Sequence, residues 1–303
     1  MKRRDILKEI ALGGLALKFG PELLGGMRPP LPAQDKTGPD LAAVTGESPA
    51  AITRAAVEAL GGMKAFVGRG DKVILKPNIG WDRTPEMAAC TNPEVVATLA
   101  ALALEAGAKD VVVMDNTTNQ AKRCYVRSGI AEAAKQAGAK VLFTDDYRLK
   151  KTALGGAWLK EWEVFADFLE TDKIINVPIA KVHSLSRLSM GMKNWLGAIG
   201  GARNQLHQKL DEAMVDLAAF FKPTLTVLDA YRILVANGPQ GGRLSDTKLV
   251  KTVVAGRDPV AVDAMGATFF EIQPRELLYL RIAQERGLGT HELEKLTVEK
   301  RTV

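Results

Sequence analysis

Short apolar runs alternate with longer segments of helical period along most of this chain. Residues 49–60 have helical spacing, and Gly61 with Gly62 ends the segment. Lys72 to Lys76 reads as a strand closed by Pro77 and Asn78. Thr91, Asn92, Pro93 and Glu94 form a helix start that combines a capping side chain, a first-turn proline and an early acid. That helix runs through Glu105 and stops at Gly107. The pattern then repeats, with strands over 110–114, 141–143, 173–177, 224–228 and 250–255. Helices fall at 129–136, at 206–221 (marked by Leu206, Leu210, Ala213 and Leu217), after Asp258-Pro259, and at 274–285. Asp258 precedes a proline in the first turn and reads as an N-cap. This alternation predicts an α/β fold: a largely parallel, doubly wound sheet with helices on both faces.

The first part of the chain has a different character. Met1-Lys-Arg-Arg-Asp-Ile-Leu-Lys8 precedes a short apolar stretch from Ile10 to Leu17, the pattern of an export leader. Arg3 and Arg4, followed by Ile6, Leu7 and Lys8, resemble a twin-arginine signal. Residues 1–33 are therefore expected to be a twin-arginine-type leader, 34–48 a flexible linker, and 49–303 one α/β domain. The protein is expected outside the cytoplasm, in the periplasm, touching a membrane only through an uncleaved leader. Of the net charge of +6, half lies in the leader, and no clustered basic patch remains for nucleic acid. Cys90 and Cys124 lie in no Cys-x-x-Cys pair, so a thiolate zinc or iron–sulfur site from this chain is not expected. They are either one disulfide or two free thiols. Phosphate-loop, dinucleotide-loop, nucleophile-elbow and His-Glu-x-x-His motifs do not occur.

Candidate chemistry gathers at strand ends. Lys76 with Asn78, Asp115, Asp229, and Lys181 with His183 would all lie on one edge of a parallel sheet, where open α/β sheets build their sites. Pro178 is expected to stop regular pairing after the 173–177 strand, with Lys181 and His183 on one side of an extended tail. Ser184 or Ser186 would cap a following helix that carries Lys193 and Asn194. Asp263, in a helix apolar nearly all round, needs a partner, for which Lys76, Lys181 and Lys193 are candidates. His207 and Asp211, one turn apart, read as a surface pair.

Lys76-Pro-Asn78, Thr91-Asn-Pro-Glu94 through Ala108, Lys181-Val-His-Ser184 with Lys193-Asn194 and Gly197, and Gly256-Arg-Asp-Pro-Val-Ala-Val-Asp-Ala264 together resemble the domain of unknown function 362 family. Many relatives carry a ferredoxin-like module; its cysteines are missing here, so electron transfer through clusters of this chain's own is not implied. More distantly, the Thr-x-Pro helix start and the His-to-Lys segment are similar to lactate racemase, which holds a nickel–pincer nucleotide; that cofactor is not carried over. The sequence specifies no cofactor and no metal. The expected function is an exported protein binding an anionic substrate or cofactor, with a redox association as the finer expectation. His183, Lys181, Lys193 and Asp229 are the catalytic candidates, and His183 would act as acid or base. Lys76, Asn78, Asp115, Asn194 and Asp263 are the cofactor-binding candidates. The alternative is a non-catalytic binding or maturation factor for exported redox proteins. Expected partners are a small anionic ligand, the twin-arginine export machinery and an exported redox protein.

Overall fold

The computed structural model of the protein describes residues 38–303. The leader expectation therefore lies outside the described residues. Among them, no helix is long and apolar enough to cross a membrane.

The chain begins with β1 (Leu41–Thr45), α1 (Pro49–Ala59), β2 (Lys72–Pro77), α2 (Pro93–Glu105) and β3 (Asp110–Val113). It continues through α3 (Ala121–Arg127), α4 (Ile130–Gln136), β4 (Lys140–Val141), β5 (Leu149–Ala153), β6 (Glu161–Phe165) and α5 (Ala166–Leu169). The central stretch holds β7 (Lys173–Val177), β8 (Ile179–His183), β9 (Arg187–Ser189) and α6 (Gly191–Asn194). Then come α7 (Leu210–Phe221), β10 (Leu225–Leu234), β11 (Thr247–Gly256), α8 (Pro259–Thr268), α9 (Leu278–Glu285) and β12 (Val298–Thr302). The main sheet runs β12-β1-β11-β10-β7-β2-β3-β4, and β5 with β6 forms a separate ribbon. From β4 to β10 every neighbour pair is parallel, whereas β11 is antiparallel to both β10 and β1, so the sheet is mixed but mostly parallel.

Strand parity sorts the core into two layers. Val73 and Leu75 of β2, Ile175 and Val177 of β7, and Val253 and Ala255 of β11 pack with α1 to α4. The alternate residues Ile74, Ile174 and Val254 pack with α7, α8 and α9 on the other face. Side chains two apart share a face, so each strand must be apolar on both. The helices begin as their sequences predict: the Asn92 side chain accepts from Glu94 N at α2, and the Asp258 side chain accepts from Val260 and Ala261 N at α8.

Several boundaries differ from the sequence reading. Residues 34–48, expected as a linker, contain β1, which pairs with β11 on one side and β12 on the other. Its Leu-Ala-Ala-Val-Thr run lies between glycines and prolines whose turn signals dominate the composition. Pro178 does not end pairing either: β8 follows at once and bonds to β10 and β9. No helix starts at Ser184 or Ser186; those residues form the turn of the β8–β9 hairpin. Cys90 and Cys124 are buried free thiols.

Candidate functional site

The site grows from a buried polar knot. Lys76 lies on the same face of β2 as Ile74, and the register places it beside Asn176 of β7. Its ammonium is fully buried, and its donors go to Asp115 Oδ1 at 2.5 Å, Pro77 O at 3.0 Å and Asn194 Oδ1 at 3.1 Å. Asp115 Oδ2 accepts from Ile79 N at 2.6 Å. Burial pushes the Lys76 ammonium down and the Asp115 carboxyl up, and the opposite charge of each resists both shifts. The Asn194 amide donates to Lys76 O at 2.9 Å and Asn176 Oδ1 at 2.8 Å, and accepts from Asn78 Nδ2 at 3.3 Å. A lysine with three acceptors has no N–H left for a ligand, so Lys76 organises the site rather than reaching into it.

Asp263 holds the same knot from behind. It is fully buried on α8 and accepts from Gly191 N at 2.7 Å and Met192 N at 2.9 Å. It thus satisfies two orphan amides at the start of α6, the four-residue helix that carries Lys193 and Asn194. A Cβ at Gly191 would lie 2.8 Å from Asp263 Oδ1. Burial raises Asp263 to about 7, with both amide bonds opposing the shift. After α6, Trp195 is fully buried and stacks on Phe221 of α7 at 4.8 Å.

In front of the knot is a cleft of about 250 Å³ at the carboxyl edge of the parallel strands. Lys181 of β8 is buried and donates to Ala89 O at 2.6 Å and Asn78 Oδ1 at 3.0 Å. Burial brings it down to about 8. His183, two residues on, lines the same cleft. Its Nδ1 accepts from Leu185 N at 3.1 Å and Ser186 N at 3.5 Å, which leaves the ring proton on Nε2. Burial, reinforced by the charges of Lys193 and Lys181, lowers it to about 3. At neutral pH the ring is therefore an uncharged donor through Nε2–H. Lys193 is half-buried and makes no hydrogen bond or ion pair with a described residue. Burial, then the charges of Lys181 and Arg203, lower it to about 7. Arg203 closes the far wall, its guanidinium bonded to Asn116 O at 2.9 Å, Leu196 O at 3.1 Å and Thr117 O at 2.6 Å.

Seven of the nine candidates, Lys76, Asn78, Asp115, Lys181, His183, Lys193 and Asn194, line this cleft. Asp229 and Asp263 do not. Asp229 follows Leu225 and Val227 on the opposite face of the sheet and accepts from Asn92 N at 2.8 Å and Tyr231 N at 3.0 Å, at the start of α2. The strand does not end there, because β10 runs on to Leu234. Asp263 finds amides instead of the expected lysine. Arg203, Asn176 and Trp81 were missed, and His207 lines the cleft, its Nδ1 against Asn204 O at 3.0 Å, instead of pairing with Asp211. Among the described residues no group of three or more His, Cys, Asp or Glu side chains is placed to hold a metal ion. The cleft presents mainly donors: Lys193, the remaining N–H groups of Lys181 and Arg203, and His183 Nε2–H, with Asp115 the only carboxylate among the described residues of its wall.

The family model described as Domain of unknown function (DUF362) matches residues 73–268. A thylakoid-associated protein of Synechocystis is 26% identical over 247 residues, covering 79% of this chain and 75% of that protein. The lactate racemase apoprotein from Thermoanaerobacterium thermosaccharolyticum superposes at 13% identity with a TM-score of 0.49, over 75% of this chain and 56% of its own. A Thermotoga maritima protein superposes at 11% identity with a TM-score of 0.42, over 74% and 59%. The chain thus spans little more than half the length of these two solved structures.

Proposed function

The chain belongs to the domain of unknown function 362 family, and from that premise we propose that it binds a small anionic substrate or cofactor in the cleft at the carboxyl edge of its sheet. The observation that carries this reading is Lys193, a cleft lysine with no acceptor among the described residues, set beside Lys181 and Arg203. Like charges held close destabilise one another until an anion joins them. The ligand would take Arg203 and Lys181 through charge-assisted bonds, with the Lys193 amine beside them, while His183 Nε2–H donates to an uncharged or partly charged oxygen. A neutral imidazole donor can stabilise charge that develops on a ligand oxygen, which is an electrophilic role.

The alternative of a non-catalytic binding factor is favoured by a separate observation. Asp229 and Asp263 are committed to backbone amides and Asp115 to Lys76, so among the described residues no free carboxylate base faces the cleft.

Isothermal titration calorimetry with inorganic pyrophosphate and with 2-oxoglutarate tests the shared claim of anion binding. Binding is expected for one or both, weakened about tenfold or more by Lys193→Met and unchanged by the surface control Lys122→Met. No binding of either anion, or equal losses in both variants, would overturn it.

Export by the twin-arginine route is proposed from Arg3-Arg4-Asp5-Ile6-Leu7-Lys8. Replacing both arginines by lysine should leave the protein in the cytoplasmic fraction. An unchanged distribution would refute this route.

A further inference from the structure

We propose that Lys193 is a nucleophilic amine that condenses with the keto group of a small 2-oxo acid to form an imine. The inference rests on the anion-binding reading and names its ligand class. Three lysines line the cleft, and their surroundings separate them. Lys76 has three acceptors, including Asp115, and stays locked in the knot. Lys181 is buried against the Ala89 carbonyl and the Asn78 amide oxygen, both of which favour an N–H donor. Lys193 has neither, so no described residue holds a proton on its Nζ. The charged groups that face it are Lys181 and Arg203, with neutral His183 beside them. Two cations and partial burial favour the free amine, the form with the lone pair that attack requires. The lowering to about 7 agrees with that geometry.

The remaining donors suit the rest of such a ligand. Arg203 has two N–H groups beyond the three bonded to carbonyls, counting five per guanidinium. With the remaining Lys181 N–H they can take the ligand's carboxylate. His183 Nε2–H can donate to the keto oxygen. The Lys193 lone pair adds to the carbonyl carbon, and the carbonyl electron pair moves to oxygen. A proton passes from nitrogen to that oxygen to give the carbinolamine. Loss of the hydroxyl with a second proton releases one water and leaves the C=N bond. No oxidant or reductant is consumed. The ligand's carboxylate supplies the negative charge that a protonated imine would face among these cations.

Borohydride trapping on the full-length protein tests this. The protein is incubated at neutral pH with pyruvate or 2-oxoglutarate, reduced, and read by intact mass and peptide mapping. The expected result is one reduced adduct per chain, mapped to Lys193, absent in Lys193→Arg and suppressed by excess pyrophosphate. Mapping in the wild type locates the adduct even if the variant folds poorly. Adducts spread over exposed lysines, or retained in Lys193→Arg, would overturn the inference. Calorimetric binding of these acids without an adduct would overturn the imine and leave anion binding standing. Absence of both binding and adduct would remove the two together.

Discussion

Replacing Lys76 by Met removes the ammonium at the centre of the polar knot. Asp115 is left almost fully buried, with the Ile79 amide as its remaining strong donor. The carboxyl must then either stay charged without its counterion or take up a proton. The first option costs about 3–5 kcal/mol by analogy with broken buried pairs. The second costs the free energy of protonating a group whose ordinary value is 3.8, which is about 4 kcal/mol at pH 7 and about 2 kcal/mol at pH 5.5. The cheaper route sets the loss, so destabilisation by Lys76→Met should be about 4 kcal/mol at pH 7 and roughly halve at pH 5.5. The sign follows from linkage: the variant's folded state holds a proton that the unfolded chain releases above 3.8, so its stability falls as pH rises. Urea unfolding of wild type, Lys76→Met, Asp115→Asn and the double variant at both pH values measures this. The double variant should recover most of the loss, because it leaves no buried charge. A Lys76→Met loss below about 1 kcal/mol that does not change with pH would refute the argument, as would a double variant no better than the sum of the single ones.

Three further outcomes follow from particular contacts. A Cβ at Gly197 would lie 1.8 Å from Asp115 Oδ1 and 2.6 Å from Lys76 Nζ, so Gly197→Ala should destabilise by at least about 1–3 kcal/mol and abolish anion binding; calorimetry and urea unfolding would both register it. Lys193 has a folded value lowered from 10.5 to about 7. The unfolded chain therefore binds more protons in that window, and the stability of wild type relative to Lys193→Met should rise from pH 7 to pH 10.5; a flat difference would contradict the assigned burial. Cys90 and Cys124 are buried, and burial pushes the Cys90 thiol up to about 12, so both should react with a thiol reagent only after unfolding. Rapid reaction of the native protein, or no free thiol in the unfolded one, would count against this arrangement.

Much of the fold was legible because it rests on local physics. The β2, β3 and β7 runs are apolar on both faces, and the Asn92-Pro93 and Asp258-Pro259 starts carry their own caps. Strand ends on a parallel sheet converge, and that rule alone brought Lys76, Asn78, Asp115, Lys181 and His183 to one cleft. The failures concern what local pattern does not encode. Asp229 looked like a strand end, but β10 continues for five residues, and parity turns its side chain to the α2 face. Asp263 was recognised as a buried carboxylate in need of a partner, yet amides of a distant helix start are invisible to charge matching. The β8–β9 hairpin pairs Lys181 with Ser189 and His183 with Arg187 across a Ser-Leu-Ser turn that carries no Gly, Asn or Pro signal. Arg203 lies in a 3₁₀ turn without period and is held at the cleft wall by bonds to backbone carbonyls, which no side-chain pattern announces. Asn176 read as one more strand residue, although an amide in an otherwise apolar strand was a signal that could have found it.

The central claim is that a small anion is held among Lys181, His183, Lys193 and Arg203. Crystals of the full chain grown with tungstate and measured at the tungsten absorption edge test it most directly. The account predicts the strongest anomalous peak inside the cleft, within hydrogen-bond reach of Lys193 Nζ and Arg203. A cleft without a peak, with tungstate ordered only on exposed surface cations, would contradict it.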